Sequence, residues 1–499
     1  MVSGACAGAF LGFLAMTADA EPWVEPGDPR LRADIELLAA YGIVEGPLNT
    51  WPVSWSQISH GIASMEERAY PVHVEAALAR VRRAMPQTSD YRGIGLEFEA
   101  KGASEERLVR GFDGGARQEG DVSLALDKHW SSTYAKLSVG WRDDQAGGND
   151  VHFDNSYIAQ AWGNWVFYGG TLPQWWGGGW DGGLFVSTNA RPFARIGLQR
   201  LNPKPFETPW LSWLGHWNIH LSAGRLSDDR DDFETPWVVE TRITLSPIRG
   251  LDLGVSRTIQ ICGKGRPCDL GTLRRAVFAF NNADNTGIRE SDPSNQIFGM
   301  DARFARRIGD VNFATFVEVI AEDTADVLPT KWSADLGFTL NGYWAAQELR
   351  WGFRFEASDT EAGNLFGLEV NEQGTRPNVT FNSFIFTDGF SFKERTIGHT
   401  LDTDSRLLTA EVNAVDRAER YYWLRYRRAI INATDIPQRR QGNRLSNNRE
   451  EINLVEAGLT VPFRLGEIRL ELRTQDDQPD TPGRKDFEVE AEAGIRLRF

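Results

Sequence analysis

The last thirteen residues of the chain, FEVEAEAGIRLRF (487–499), alternate between apolar and charged side chains. One face carries Phe487, Val489, Ala491, Ala493, Ile495, Leu497 and Phe499, and the other carries Glu488, Glu490, Glu492, Arg496 and Arg498. A period of two residues is typical of a β-strand, because successive side chains of a strand point to opposite faces. Strands of soluble proteins average about five or six residues. This longer segment therefore predicts a strand that crosses a membrane.

The same period recurs inside the chain, as in VNFATFVEVIAED (311–323) and QELRWGFRFEAS (347–358). A soluble sandwich would turn the apolar face of such strands to a core and the charges to water. An outer-membrane barrel turns the apolar face to lipid and the charges to a wet lumen. The length of the runs, and the strand that ends at Phe499, favour the barrel. We predict an all-β fold, a closed antiparallel transmembrane β-barrel.

Loop lengths refine the number of strands. About 19 runs of this kind occur, but a single-chain bacterial barrel has an even number of strands, with long outer loops and short periplasmic turns. The long loops 261–293, 359–404 and 431–452 should therefore each follow an odd-numbered strand. They do so if one run before residue 227 is not a wall strand, and we assign this to 183–189, inside a Trp/Gly-rich segment. The expected barrel has about 18 strands.

The start of the chain has the features of an exported protein. Residues 7–16 are continuously apolar, and Ala18-Asp19-Ala20 follows as a small-residue cleavage site. This pattern predicts a secretory signal peptide over residues 1–20. The expected location of the mature chain is the cell outer membrane of a Gram-negative bacterium.

Residues 21–88 have a helical rather than a strand period. Asp28 is placed to cap a helix that begins at Pro29, and Val74, Leu78, Val81 and Met85 fall on one face of a later helix. We predict a small N-terminal α-helical subdomain over 21–88, on the periplasmic side of a barrel that spans 89–499.

Composition excludes several classes of protein. The net charge is −15, which argues against a nucleic-acid binder. The 18 Trp and 28 Phe argue against disorder. Cys262 and Cys268, in CGKGRPC, predict a small disulfide of an oxidising compartment, with two reduced loop thiols as the alternative. Two ligands are too few for a zinc site, and we expect neither a metal nor a cofactor.

A Trp/Gly-rich segment stands out within the barrel sequence. Trp175, Trp176 and Trp180 flank three consecutive glycines, and Asp181, Asn189 and Arg191 follow. Aromatic faces beside polar groups are what a sugar-binding surface uses. The alternative is a packed aromatic plug in the lumen. The candidate polysaccharide-binding residues are Trp175, Trp176, Trp180, Asp181, Asn189, Arg191, Arg200 and His399.

This segment resembles the Wzi family of outer-membrane capsule assembly proteins. The pattern comprises D-x-S-Y-I from Asp154, G-N-W from Gly163, W-W-G from Trp175, and S-x-N-A-R-P from Ser187 with the later Arg200. RADIELLAAYGIV (32–44), TWPVSW (50–55) and GHTLDTDSR (398–406) agree as well. The resemblance implies an 18-stranded barrel with a periplasmic helical bundle. It also implies a lectin that holds group 1 type capsule or exopolysaccharide at the cell surface without catalysis.

The expected partners follow from this interpretation. They are capsular or exopolysaccharide, outer-membrane lipid and capsule export machinery, with no nucleic acid, and the barrel is expected to be a monomer. A substrate-selective porin lined by Arg and Glu is the alternative function. A third is an enzyme that uses Asp154 with Glu207, or the acidic run SDDRDD (227–232), as glycosidase carboxylates.

Overall fold

The computed structural model of the chain describes residues 22–86, 93–143, 151–278, 294–325, 328–369, 377–434, 442–479 and 487–499. The predicted signal peptide, 1–20, lies outside the described residues. Within the described part of the chain, no helix is both long and apolar enough to cross a bilayer.

Most of the chain forms one closed antiparallel barrel. Its strands, numbered here in chain order, are β1 Gly95–Ala103, β2 Gly120–Trp130, β3 Thr133–Arg142, β4 Val151–His152 with Tyr157–Trp162, β5 Trp165–Gly170, β6 Arg195–Arg200, β7 His216–Arg225, β8 Trp237–Ile248, β9 Leu251–Ile261, β10 Ser294–Ile308, β11 Val311–Ala325, β12 Leu328–Trp344, β13 Leu349–Asp359, β14 Arg406–Val415, β15 Tyr421–Ile431, β16 Glu450–Phe463, β17 Gly466–Gln475 and β18 Glu488–Arg498.

The wall has 18 strands, as the loop lengths predict. The two segments of β4 both pair with β3 and count as one interrupted strand. The last strand pairs with the first, with Ala493 opposite Gly102, and this pairing closes the barrel. The three long loops follow β9, β13 and β15, all odd-numbered. Residues 183–189 form no wall strand, and Leu184, the second of them, is fully buried inside the barrel.

The burial pattern is the reverse of that of a soluble protein. Leu472 and Val489 are 61% and 63% exposed on the outer face, whereas the adjacent Arg473 and Glu490 are each 3% exposed and face the lumen. Apolar side chains on the exterior of a closed barrel are stable only against hydrocarbon. The alternating runs are therefore membrane strands, and the sandwich interpretation is wrong.

The N-terminal segment contains three helices, α1 Pro29–Ala40, α2 Trp55–Ala63 and α3 Val72–Ala84, and the first and third lie where the sequence predicts them. Asp28 caps α1, since its Oδ1 accepts a hydrogen bond from the backbone N–H of Leu31 at 2.9 Å. A fourth helix, α4 Leu270–Phe278, lies in the loop after β9.

Helix α1 enters the end of the barrel where the turns are short. Arg30 pairs with Glu467 at 3.1 Å, close to the two-residue turn between β16 and β17. Glu36 pairs with Arg303 of β10 at 3.3 Å, inside the lumen. Short turns mark the periplasmic end of such barrels, so α1 closes that end. The exact division at residues 88 and 89 remains a prediction.

The N-terminal segment and the loop between β5 and β6 meet inside the lumen. Thr50–Trp51 pairs with Trp175–Trp176 as a two-stranded antiparallel ribbon. Arg242, on the inner wall, donates to the backbone carbonyl of Asn49 at 2.6 Å and pairs with Asp301 at 2.7 Å. We call these two segments the plug, and the plug thus contains one piece from each end of the barrel, with side chains of the loops after β1 and β13 packed against it.

Candidate functional site

The predicted tryptophans lie inside this plug. Trp175 and Trp176 are fully buried, and Trp180 is 8% exposed. The Trp175 indole donates to the carbonyl of Gly179 at 2.9 Å. The guanidinium of Arg32, from α1, stacks on the Trp180 ring at 3.9 Å. Each ring therefore packs against protein, as the aromatic-plug alternative expects. Sugar binding by these tryptophans remains a prediction.

The glycines between the tryptophans allow the loop backbone to approach the wall closely. Glu356 of β13 accepts hydrogen bonds from the backbone N–H groups of Trp180 and Asp181, each at 2.9 Å. A Cβ on Gly182 would lie 2.9 Å from the carboxylate of Asp335. Gly177, with φ +114°, would place a Cβ 2.3 Å from Glu318. The Gly-rich composition thus reflects a backbone that binds wall carboxylates directly.

Asp181 ties the loop to the opposite side of the lumen. Its carboxylate pairs with Arg427 of β15 at 2.9 Å and with Arg354 of β13 at 3.4 Å. Both arginines keep a second carboxylate, because Arg354 pairs with Glu411 at 2.8 Å and Arg427 with Glu456. The plug is therefore joined to a continuous network of buried ion pairs.

Asn189 and His399 lie together beneath the outer loops. The Asn189 amide donates to the carbonyls of Thr396 at 2.9 Å and His399 at 3.4 Å. The His399 ring shares a hydrogen bond of 2.7 Å with the hydroxyl of Ser358. Burial lowers the pKa of His399 to about 4, although nearby Asp402 raises it. At neutral pH His399 therefore has a neutral ring bonded to β13, while its backbone carbonyl binds Asn189 of the loop after β5.

The two remaining candidates lie at opposite ends of the barrel. Arg191 pairs with Asp154 at 3.1 Å at the outer mouth. Arg200 ends β6 near the periplasmic turn, where its guanidinium stacks on Trp217 at 3.9 Å. The structure thus does not bring the predicted set into one site. Only Arg191 lies partly exposed among the outer loops, with 14% of its side chain accessible.

Four arginines that the sequence did not single out surround Arg191. We call the five together the outer-mouth arginine cluster, which consists of Arg110, Arg117, Arg142, Arg191 and Arg395. Their carboxylate partners are Glu106, shared by Arg110 and Arg395, and Asp121 and Asp154, which bind Arg142 and Arg191. Among the residues that the structure describes, these five guanidinium groups pair with or lie beside three carboxylates.

Arg117 binds the backbone of the loop after β5. It donates to the backbone carbonyls of Thr188, Asn189 and Ala190 at 2.5, 2.9 and 3.3 Å. Among the described residues, no carboxylate lies within ion-pair distance of it. Burial and the neighbouring Arg142 lower the pKa of Arg117 to about 10. Burial and Arg395 lower the pKa of Arg110 well below its usual range, so these cations destabilise one another.

The members of the cluster come from four separate parts of the chain. Arg110 and Arg117 lie in the loop after β1, Arg142 ends β3, and Arg191 and Arg395 lie in the loops after β5 and β13. No spacing rule links positions so far apart. The one available signal was the match of Asp154 and Arg191 to a family motif, since these two residues form an ion pair.

Two predictions concern cysteines and metals. In the structure, Cys262 and Cys268 are joined by a disulfide in the loop after β9. Within the described ranges, no group of three or more His, Cys, Asp or Glu side chains is arranged to hold a metal ion.

Comparison with known proteins identifies the family. The sequence model of the capsule assembly protein Wzi family matches residues 91–484, which is most of the chain. The chain belongs to this family. A protein of Escherichia coli, described as Wzi, an outer-membrane protein involved in group 1 capsule assembly and a carbohydrate-binding β-barrel, has a similar structure. The TM-score is 0.79 at 22% identity, over 95% of this chain and 99% of that one.

Two further similarities add less. An uncharacterised 55.8 kDa protein in the cps region of Klebsiella pneumoniae is 28% identical over 344 residues. That alignment covers 67% of this chain and 64% of the relative, so the chain matches just under two thirds of the relative's length. The barrel OccAB2 of Acinetobacter baumannii matches 81% of this chain and 97% of its own at 11% identity, with a TM-score of 0.45, too low to bear on function. Because the chain belongs to the Wzi family and the outer face of its barrel is apolar, it is an outer-membrane protein.

Proposed function

We propose that the protein is a plugged outer-membrane barrel that binds capsular or exopolysaccharide at its outer mouth and holds it at the cell surface. The observation that carries the proposal is the outer-mouth arginine cluster, which brings five guanidinium groups from four parts of the chain together beneath the outer loops. The chain as a whole carries −15, so the cluster is a local attraction for anionic sugars on an otherwise repulsive protein. The carbohydrate binding stated for the Escherichia coli relative supports the same function.

The roles of the predicted residues follow from their positions. Arg191, partly exposed at the mouth, is proposed to contact the polysaccharide. Trp175, Trp176, Trp180 and Asp181 are proposed to hold the loop that presents Arg191, and Asn189 and His399 to fix it against the loop after β13. Arg200, at the periplasmic end, is proposed to have a structural role.

We propose that the protein binds the polymer without cleaving it. The carboxylates considered for glycoside hydrolysis are separated or paired: Asp154 lies at the outer mouth, whereas Glu207 lies in the turn after β6 at the other end. In SDDRDD, Arg230 pairs with Asp232 at 2.9 Å. We further propose that the barrel acts as a monomer and receives polymer from the capsule export machinery.

A porin remains the alternative function, since the lumen is lined by Arg and Glu. What speaks against it is the composite plug, whose two pieces pair in the middle of the lumen. Conductance measurements separate the two functions, as described in the Discussion.

Neutralising the cluster should weaken polysaccharide binding. For the double variant Arg117→Gln/Arg395→Gln we expect about a tenfold loss of affinity for isolated capsular polysaccharide, because charge-assisted hydrogen bonds are lost. Binding by the wild type should also fall as NaCl increases. Pull-down of purified barrel on immobilised polysaccharide measures both effects.

A control is Arg428→Gln, which removes one positive charge at an exposed arginine that pairs with Glu451 on the outer face of β15. It should bind like the wild type. Equal binding by the double variant, or binding of the wild type that is insensitive to salt, would contradict a role for the cluster.

A further inference from the structure

Helix α4 lies on the lipid-facing side of the wall. Along the outward face of β9, Leu253 and Val255 are 36% and 47% exposed, as lipid contacts are. Further toward the outer end of the same face, Ile259 and Ile261 are only 5% and 2% exposed. They are covered because they pack with Ala276 of α4. The helix therefore folds back over the outside of the barrel, directly above its apolar belt.

Specific contacts hold the helix in this position. Arg257, also on the outward face of β9, donates to the carbonyl of Ala276 at 2.8 Å. Gln296 of the neighbouring strand donates to the same carbonyl at 3.2 Å. Asp269 caps the first turn by accepting from the backbone N–H of Thr272 at 3.0 Å. The position of α4 is thus fixed by the wall itself.

The free side of this region combines apolar and cationic side chains. Leu270 and Leu273 of α4 are 80% and 41% exposed, and Arg274 and Arg275 are exposed beside them. Arg225, at the outer end of β7, is exposed and stacks on Trp237, which packs against the same cluster as Ala276. Among the described residues, none of the three arginines has a carboxylate within ion-pair distance.

We propose that this surface, formed by Arg225, Leu270, Leu273, Arg274 and Arg275 and called here the rim surface, binds the phosphate-bearing headgroups of outer-leaflet lipid. Because the rim surface is continuous with the apolar belt of the barrel, Leu270 and Leu273 lie at the level where the acyl chains of the lipids begin. Arginines in the last turns of such an interfacial helix pair with lipid phosphates. The rim surface faces the bilayer and not the barrel mouth, so it is independent of polysaccharide binding.

The test compares two lipids that differ in charge. Purified barrel in a neutral detergent is titrated with diphosphoryl lipid A and with lipid A from which both phosphates have been removed, and bound lipid is counted by native mass spectrometry. The wild type should bind the phosphorylated form about tenfold more tightly. The variant Arg225→Gln/Arg274→Gln/Arg275→Gln should lose this preference.

The matched control is Arg306→Gln, which removes an exposed arginine at the periplasmic end of β10. It should keep the preference for the phosphorylated lipid. Equal affinity of the wild type for both lipids, an unchanged preference in the triple variant, or an equal loss in the control would overturn the proposal. If the triple variant fails to fold, the affinities of the wild type for the two lipids still test the proposal. The single variant Arg274→Gln then replaces the triple variant, and its preference for the phosphorylated lipid should be reduced.

Discussion

Removal of both pieces of the plug is expected to convert a silent barrel into a conducting one. The first change replaces residues 173–190 with a short Gly-Ser linker, and the second deletes residues 22–86. Together they remove the ribbon in which Thr50–Trp51 pairs with Trp175–Trp176, as well as α1 at the periplasmic end. An 18-stranded wall without a plug encloses a wide aqueous lumen. Planar-bilayer recordings should change from no resolvable steps to the large steps of an open pore.

The control shortens a loop outside the plug. The hairpin formed by Asn364–Leu365 and Leu368–Glu369 has an exposed tip, and its removal should leave the barrel silent. Steady open-channel current through the wild-type protein would contradict the plugged barrel and support the porin. A double deletion that folds but stays silent would show that other loops seal the lumen.

Asp181→Ala is expected to destabilise the barrel strongly. The substitution removes one carboxylate from two arginines, Arg427 and Arg354, that are themselves buried. Breaking a buried ion pair costs about 3–5 kcal/mol, because the remaining charge is left without its partner. The lower end, about 3 kcal/mol, is expected, since each arginine keeps a second carboxylate. The urea midpoint of the heat-modifiable band on gels measures the change.

Glu66→Ala is the matched control for this substitution. It also breaks an Arg–carboxylate pair, but the side chains of Glu66 and Arg68 are 77% and 52% exposed. Exposed pairs contribute little to stability, so the urea midpoint should not shift measurably. A midpoint for Asp181→Ala equal to that of the control would show that the lumen is hydrated enough to screen the buried charges.

The strands of the barrel wall could be predicted from the sequence because each of their side chains faces one of two environments. Val489 and Glu490 alternate between lipid and lumen, and a period of two records this choice directly. The lengths of the loops then indicated an even number of strands. The helices were predictable from the capping residue Asp28 and from an apolar period of 3.6 residues. These are local signals, carried by neighbouring residues of the chain.

The site was harder to predict because it depends on long-range contacts. The tryptophans around Gly177 look the same in sequence whether their rings face sugar or protein, and only the plug shows that they are buried. Arg110 and Arg395 share the carboxylate of Glu106 although they are far apart in sequence. Such a pairing leaves no periodic trace, so the cluster required the folded structure.

Labelling of two adjacent residues tests most directly whether the barrel wall has its apolar face toward lipid and its polar face toward the lumen. Ser138 and Val139 of β3 are 5% and 41% exposed, the first toward the lumen and the second toward lipid. A nitroxide on Val139→Cys, in phosphatidylcholine vesicles, should be relaxed strongly by oxygen, which concentrates in hydrocarbon, and little by a water-soluble nickel chelate. The same label on Ser138→Cys should be shielded from oxygen. Equal access of the nickel chelate to both positions would contradict a membrane-spanning wall.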